Sequence, residues 1–165
     1  MRVMEKNYDH KEYEEKIYRE WEASGAFTPP TGAGVAKTGQ KTLTIIMPPP
    51  NANDPLHVGH AMFVTIEDIL VRFHRMRGEA TLWLPGTDHA GIETQFVFEK
   101  KLAKQKKSRF DFDRDTLYQM IWDYVQENSG VAIEQMKKLG ASADWSRYKF
   151  TLDQEVVTEV IKTFV

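Results

Sequence analysis

Two short apolar runs, Leu43–Met47 and Ala80–Leu84, bracket a stretch of helical period, and this spacing constrains the fold more than any other feature of the chain. Pro48, Pro49 and Pro50 end the first run, because successive prolines supply no ladder donors. Met62, Ile66, Ile69, Phe73 and Met76 then repeat at three and four residues, predicting a helix from about Val58 to Arg77, with Gly78 as its C′ glycine. Pro85-Gly86 closes the second run. Strand, helix and strand within about 45 residues is the length of a βαβ unit, so the two strands are expected to be buried and parallel.

The flanks read as helices. Residues 7–24 form an amphipathic pattern, with Asp9 and Glu12 at capping-box spacing, Tyr13, Ile17 and Trp21 as a stripe, and Gly25 as the stop. A loop from Thr28 to Lys41, rich in glycine, proline and threonine, leads into the main body. Further helices are expected near 90–104, over 113–139 with Leu117, Met120, Ile121, Tyr124, Met136 and Leu139 inward, and from about Asp153 with Val156, Val157, Val160, Ile161 and Phe164. The organisation is thus an N-terminal helix and linker, 1–40, before an α/β body, 41–165. The last helix keeps its apolar pattern to Val165, as a pattern continuing beyond it would.

The 165 residues suffice for one domain, and 22 basic against 24 acidic side chains give a net charge of −2, which excludes a globally basic nucleic-acid binder but not a local patch. The absence of cysteine excludes a disulfide framework, a thiolate metal site and a cysteine nucleophile. No apolar run reaches the ~18 residues of a membrane span and Met1–Glu5 lacks a secretion-signal core, so the expectation is a cytoplasmic protein without membrane attachment.

In an open parallel sheet, ligands collect at the carboxyl ends of strands. The loop after the first strand carries Pro48–Asn51 and His57-Val58-Gly59-His60, and the loop after the second carries Gly86-Thr87-Asp88-His89-Ala90-Gly91. His57 and His60 fall on one side of a helix start, whose free N–H groups and positive dipole end favour phosphate. Gly59 lets a base or sugar approach the backbone. Phosphoryl or nucleotidyl transfer needs little beyond such donors, and no general base if the attacking group is already a carboxylate. Asp88, beside a polyanion site, suits a cation, either a metal or a substrate ammonium. Other readings of the same residues are a metal site from His57, His60, His89 and Asp88, histidines on a helix surface, and Asp88 as a helix cap.

His57-Val58-Gly59-His60 resembles the HIGH signature of class I aminoacyl-tRNA synthetases. Met47–Asn51, Leu56–His60, Arg75–Gly78, Trp83–Ile92, Leu139–Ser142, Asp144–Arg147 and Phe150–Asp153 together resemble the valyl-tRNA synthetase family over nearly the whole chain. The resemblance implies the first half of a Rossmann-like (HUP-type) catalytic domain with an N-terminal helical extension. It implies that valine attacks the α-phosphate of ATP, accompanied by Mg2+, to give valyl-adenylate, and that the valyl group then passes to tRNA(Val). By position, His57 and His60 are the catalytic pair. Asn51, His57, Gly59, His60, His89 and Gly91 contact ATP, and Pro49, Pro50, Asn51 and Asp88 bind the amino acid, with Asp88 on its ammonium. No resident metal ligand is implied, and the remainder of a synthetase chain is expected as a covalent or separate partner.

The chain departs from that family where Asn51-Ala52-Asn53-Asp54 stands for the usual N-V-T-G, placing the acid Asp54 near the phosphates. K-M-S-K-S does not occur, nor does an editing or anticodon-binding domain, so a nucleotide-binding module without ligase activity, or another H-x-G-H nucleotidyltransferase, stays open. Lys100, Lys101, Lys104, Lys106, Lys107 and Arg109 either touch tRNA phosphate or form a solvated helix end. Trp145 and Tyr148 either stack on a base or belong to the core.

Overall fold

The computed structural model describes residues 8–30 and 39–165; positions 31–38 of the expected Thr28–Lys41 loop and position 7 of the expected first helix lie outside them. Helix α1 spans His10–Ala23, its N-cap Asp9 accepting from the Lys11 N–H, and Gly25 follows it with φ +73°. Strand β1 (Thr42–Ile46) runs parallel to β2 (Ala80–Leu84), with Thr42 opposite Ala80 and Ile46 opposite Leu84. Helix α2 (Val58–Met76) makes the crossover, and Gly78 after it takes φ +77°. The Met47 N–H still bonds the Leu84 carbonyl at 3.0 Å, so the pairing stops where the prolines begin.

Beyond Pro85 a second parallel pair forms, β3 (Gly86–Thr87) with β4 (Lys149–Phe150), rather than a continuation of the first ladder. Gly86 permits it, since a Cβ there would sit 2.8 Å from the Lys149 carbonyl oxygen. Helix α3 (Gly91–Lys104), a 3-10 turn (Arg109–Asp111) and helix α4 (Arg114–Lys138) lie between these strands, with another 3-10 turn at Trp145–Arg147. Helix α5 (Gln154–Phe164) ends the described chain. Among the described residues no helix is long and apolar enough to cross a membrane.

The core gathers Met47, Val64, Val71, Trp83, Met136, Ala141 and Ala143, with a smaller cluster of Ala52, Val125 and Phe150 under the loops. Four expectations about faces are corrected here. On α2 the stripe Met62, Ile66, Ile69, Phe73, Met76 points outward, at 46% to 80% exposure, while Val64 and Val71 point inward. The inward face also carries polar groups that find partners there: Glu67 accepts from the Trp83 indole at 2.8 Å, Asp68 from the Ser142 N–H at 3.0 Å, and Arg75 donates to the Ser142 carbonyl at 2.9 Å. Burial pushes the Glu67 carboxyl up, only partly offset by that indole bond. The α2 sequence is apolar around most of its circumference, so period fixes the helix but not its buried side.

In α1 the predicted stripe stays exposed, and Tyr18 makes the attachment instead, donating to the Ala141 carbonyl (2.7 Å) and accepting from the Trp145 indole (2.7 Å). In α4 the buried line is Val125, Ser129, Ala132 and Met136, and Leu139 is half exposed because it is the C-cap. Strand β1 is also less buried than expected: Thr44 and Ile46 face outward, because no element covers that side among the described residues.

Candidate active site

The loops after β1 and β2 are joined through their backbones. The Asp88 N–H donates to the Pro50 carbonyl and the Ala52 N–H to the Asp88 carbonyl, each at 2.8 Å, making a parallel bridge of Asn51 with Asp88. The Asn51 amide donates to Glu93 at 2.7 Å, tying the first loop to α3 as well.

His57 and His60 do more than share a face. His57 is the N-cap of α2, its Nδ1 accepting from the Gly59 N–H at 3.1 Å, and His60 Nδ1 accepts from the His57 N–H at 3.2 Å. This is a capping box built from imidazoles in place of the usual hydroxyl and carboxamide or carboxylate. The ring centroids are 4.1 Å apart. Because each Nδ1 accepts, each neutral ring carries its proton on Nε2, so both offer an Nε2–H donor. Burial, and next the neighbouring His57, holds the His60 pKa below the ordinary histidine value. Gly59 leaves room for the cap: a Cβ there would lie 2.9 Å from His57 Cε1, so the ring would have to shift.

On the other loop Asp88 is not a helix cap. The N-cap of α3 is Ala90, at φ +48° and without a side-chain bond, a left-handed conformation unusual for alanine and held by the loop around it. Asp88 Oδ1 accepts from the Thr151 hydroxyl at 2.8 Å. The same hydroxyl oxygen accepts from the His89 N–H at 2.9 Å and lies 2.8 Å from His89 Nδ1. Thr151 has one proton, and with Asp88 receiving it, His89 Nδ1 is the donor. His89 thereby presents a bare Nε2, the opposite tautomer to His57 and His60. Gly91, the first residue of α3, leaves ordinary contact distance to that ring, 3.8 Å from a Cβ to Nε2.

Thr151 was not among the residues expected from sequence. It follows β4 directly, and two-residue strands leave no periodic signal; only its place in Phe150–Asp153 pointed toward it. Pro49, beside Gly86, and the buried Pro50 sit on the joined loops; the backbone link itself is made at Pro50–Ala52 and Asp88, while His57, Gly59 and His60 follow at the start of α2. Trp145 and Tyr148 belong to the interior: Trp145 packs on the core and Tyr148 shares a short hydrogen bond with the buried Thr87. Asp54 is exposed, and the carbonyl of Asn53 before it accepts from the Tyr124 hydroxyl at 2.6 Å. Among the described residues no three histidine, aspartate or glutamate side chains come together as a metal cage.

Residues 16–165 match the family model for "tRNA synthetases class I (I, L, M and V)". The chain belongs to that family. Within it, the sequence is similar to valine–tRNA ligases: 45% identical over 98% of the chain to that of Treponema denticola, 47% over 99% to that of Mesorhizobium japonicum, and 50% over 92% to the chloroplastic/mitochondrial form 2 of Arabidopsis thaliana. The chain spans 17%, 17% and 15% of those proteins. Its fold is shared with an Agrobacterium radiobacter LeuRS solved in a ternary complex with tRNA and LeuAMS, at a TM-score of 0.75 and 19% identity over 96% of this chain and 18% of that one.

Proposed function

We propose that these residues form the ATP and amino-acid half-site of a valine–tRNA ligase, a cytoplasmic enzyme that activates valine as valyl-adenylate and transfers it to tRNA(Val). The observation that supports the reading is the Pro50–Asp88–Ala52 stitching, which joins the loop leading to the imidazole-capped start of α2 to the loop that carries the anchored carboxylate. The Nε2–H groups of His57 and His60 donate to ATP phosphate oxygens, beside the positive end of α2. Asp88 uses one oxygen on Thr151 and the other on the valine ammonium. Pro49, Pro50 and Asn51 wall the amino acid and adenylate, while Gly59, His89 and Gly91 face the nucleotide, the bare Nε2 of His89 accepting from one of its N–H or O–H donors.

In the first step a valine carboxylate oxygen bonds to the α-phosphorus and the bond to the pyrophosphate oxygen breaks. The carboxylate is already anionic, so no side chain removes a proton. Donors fixed before the reaction stabilise charge moving onto the phosphates, and such preorganisation is commonly the largest catalytic term. Magnesium enters as the counter-ion of the ATP substrate, held by phosphate oxygens and water.

The test is binding of a non-hydrolysable valyl-sulfamoyl-adenosine by calorimetry, beside its leucyl and methionyl counterparts. Tighter binding of the valyl compound, lost in Asp88→Asn with AMP affinity unchanged, is the expected result; equal binding of all three overturns the valine assignment. A second reading is nucleotide binding without ligase chemistry. ATP binding without valine-dependent ATP–pyrophosphate exchange supports that reading.

A further inference from the structure

From the end of α3 to the following 3-10 turn, residues 99–111 carry six cations against two carboxylates, a local charge of +4 in a chain whose net charge is −2. Lys101 and Lys104 lie in the last turn of α3, where the helix dipole accounts for them. Lys106, Lys107 and Arg109 lie past its C-cap Gln105 and need another reason. Arg109 is paired with Glu99 at 3.3 Å, whereas Lys100, Lys104, Lys106 and Lys107 form no ion pair among the described residues. Lys101 leans onto the Tyr124 ring and lines, with Asp123 and Glu127, the groove between α3 and α4, so it stands apart from the others.

Two further features distinguish this surface from a solvated helix end. Phe110 is 82% exposed with the Arg109 guanidinium over its ring, and Phe96 is 58% exposed with the Lys100 ammonium over its ring. Open aromatic faces beside cations are what single-stranded nucleic acid uses, bases stacking while phosphates meet lysines. Lys106 also holds φ +57°, at the C′ position where glycine is the favoured residue. A lysine stands there against the backbone preference. A membrane is the poorer partner, because the apolar line of α3 (Thr94, Phe98, Leu102) is buried rather than turned outward.

We propose that Lys100, Lys104, Lys106 and Lys107, with the exposed rings of Phe96 and Phe110, bind unpaired RNA. This deepens the ligase reading, in which tRNA is a substrate, but its test needs no aminoacylation, so either can fail alone. The full chain is titrated against a fluorescein-labelled 12-nucleotide mixed-sequence RNA by anisotropy across salt concentrations. Lys104→Ala/Lys106→Ala/Lys107→Ala is expected to weaken binding by at least tenfold at low salt and to reduce the log–log salt slope by about 2, at ~0.7 per phosphate contact. Phe110→Leu is expected to weaken binding about fivefold with the slope unchanged, as stacking predicts. Lys106→Gly is expected to raise Tm while weakening RNA binding, a pairing that a merely solvated helix end does not give. Wild-type affinity in the triple variant, no RNA binding by the wild type, or equal binding of RNA, polyglutamate and anionic vesicles with Phe110→Leu silent would overturn the proposal.

Discussion

The bonds around Thr151 permit a sharp test of the rim. Thr151→Val keeps the shape and removes one hydroxyl, which gives its proton to Asp88 and takes the His89 N–H. A hydrogen bond to a charged group is worth about 1.5–3 kcal/mol, and an N–H left without a partner costs about 1–3 kcal/mol when buried. Here Asp88 and His89 keep roughly a third of their side-chain surface open, so water replaces part of both bonds, and about 1–2 kcal/mol is the expected stability loss. For a chain of this size that lowers Tm by about 3–6 °C. The larger consequence is at Asp88, whose carboxylate loses the bond that aims its second oxygen. Affinity for valyl-sulfamoyl-adenosine should fall about tenfold, or about 1.4 kcal/mol, while AMP affinity changes less than twofold. Calorimetry reads both affinities and a thermal melt reads the stability. Thr151→Ser restores the hydroxyl and should recover most of the binding. Unchanged binding in Thr151→Val, or Thr151→Ser failing as badly, would refute the positioning role, because the methyl group would then matter rather than the proton.

Other predictions follow from the same geometry. His60 holds a pKa below its unfolded value near 6.5, so the unfolded chain binds more protons between the two values. Its contribution is therefore present above about pH 6.5 and lost as pH falls through the lower folded value, and urea titrations from pH 5 to 7.5 should show this slope reduced in His60→Ala. Gly59→Ala would push the His57 ring off its cap, lowering stability by about 1 kcal/mol in thermal melts and weakening ATP binding. Asp54→Asn should tighten ATP binding about threefold at low ionic strength, as expected for removing one exposed like charge, and the gain should vanish in 1 M salt. Ile69→Lys, on the outward face of α2, should change the stability of this chain by less than about 0.5 kcal/mol, while Val71→Ala, one helix face away and fully buried, should cost about 1–2 kcal/mol by denaturant titration.

The βαβ unit was legible because its punctuation is chemical: three prolines forbid ladder donors after Met47, and Gly78 takes the left-handed turn after Met76. The faces were less legible. Met62 and Ile66 obey the same period as Val64 and Val71, so the sequence carries two apolar faces and only tertiary contacts choose between them. The polar residues Glu67, Asp68 and Arg75 on the inward face obscured it further, since their partners, Trp83 and Ser142, are far along the chain. At the rim, the histidines and Asp88 were visible as residue types, but their protonation pattern was not. His57 and His60 stand at capping-box spacing, a signal usually sought in serine, threonine and glutamate. Thr151 depends on a strand pairing of two residues, below the length at which alternation can be read.

That tautomer pattern follows from backbone accounting rather than from any special environment. The first turn of α2 has N–H groups with no intrahelical partner, and the two imidazoles accept from the donors at its edge, which turns their own protons outward. On the second loop the sign reverses, because a hydroxyl committed to Asp88 demands a donor from His89. Imidazoles thus present outward donors at the start of α2 and an outward acceptor on the second loop, where Gly86 admits β4, and with it Thr151, against β3. Protonating His60 would therefore do two things at once: it would add positive charge toward a phosphate and remove the acceptor that holds the His57 N–H at the helix start. The first effect favours ATP and the second dismantles its site, so ATP affinity should rise only weakly as pH falls toward 6 and then drop as the cap is lost. A monotonic rise through pH 5 would show that the imidazoles act as simple cations and that the capping bonds do not govern the site.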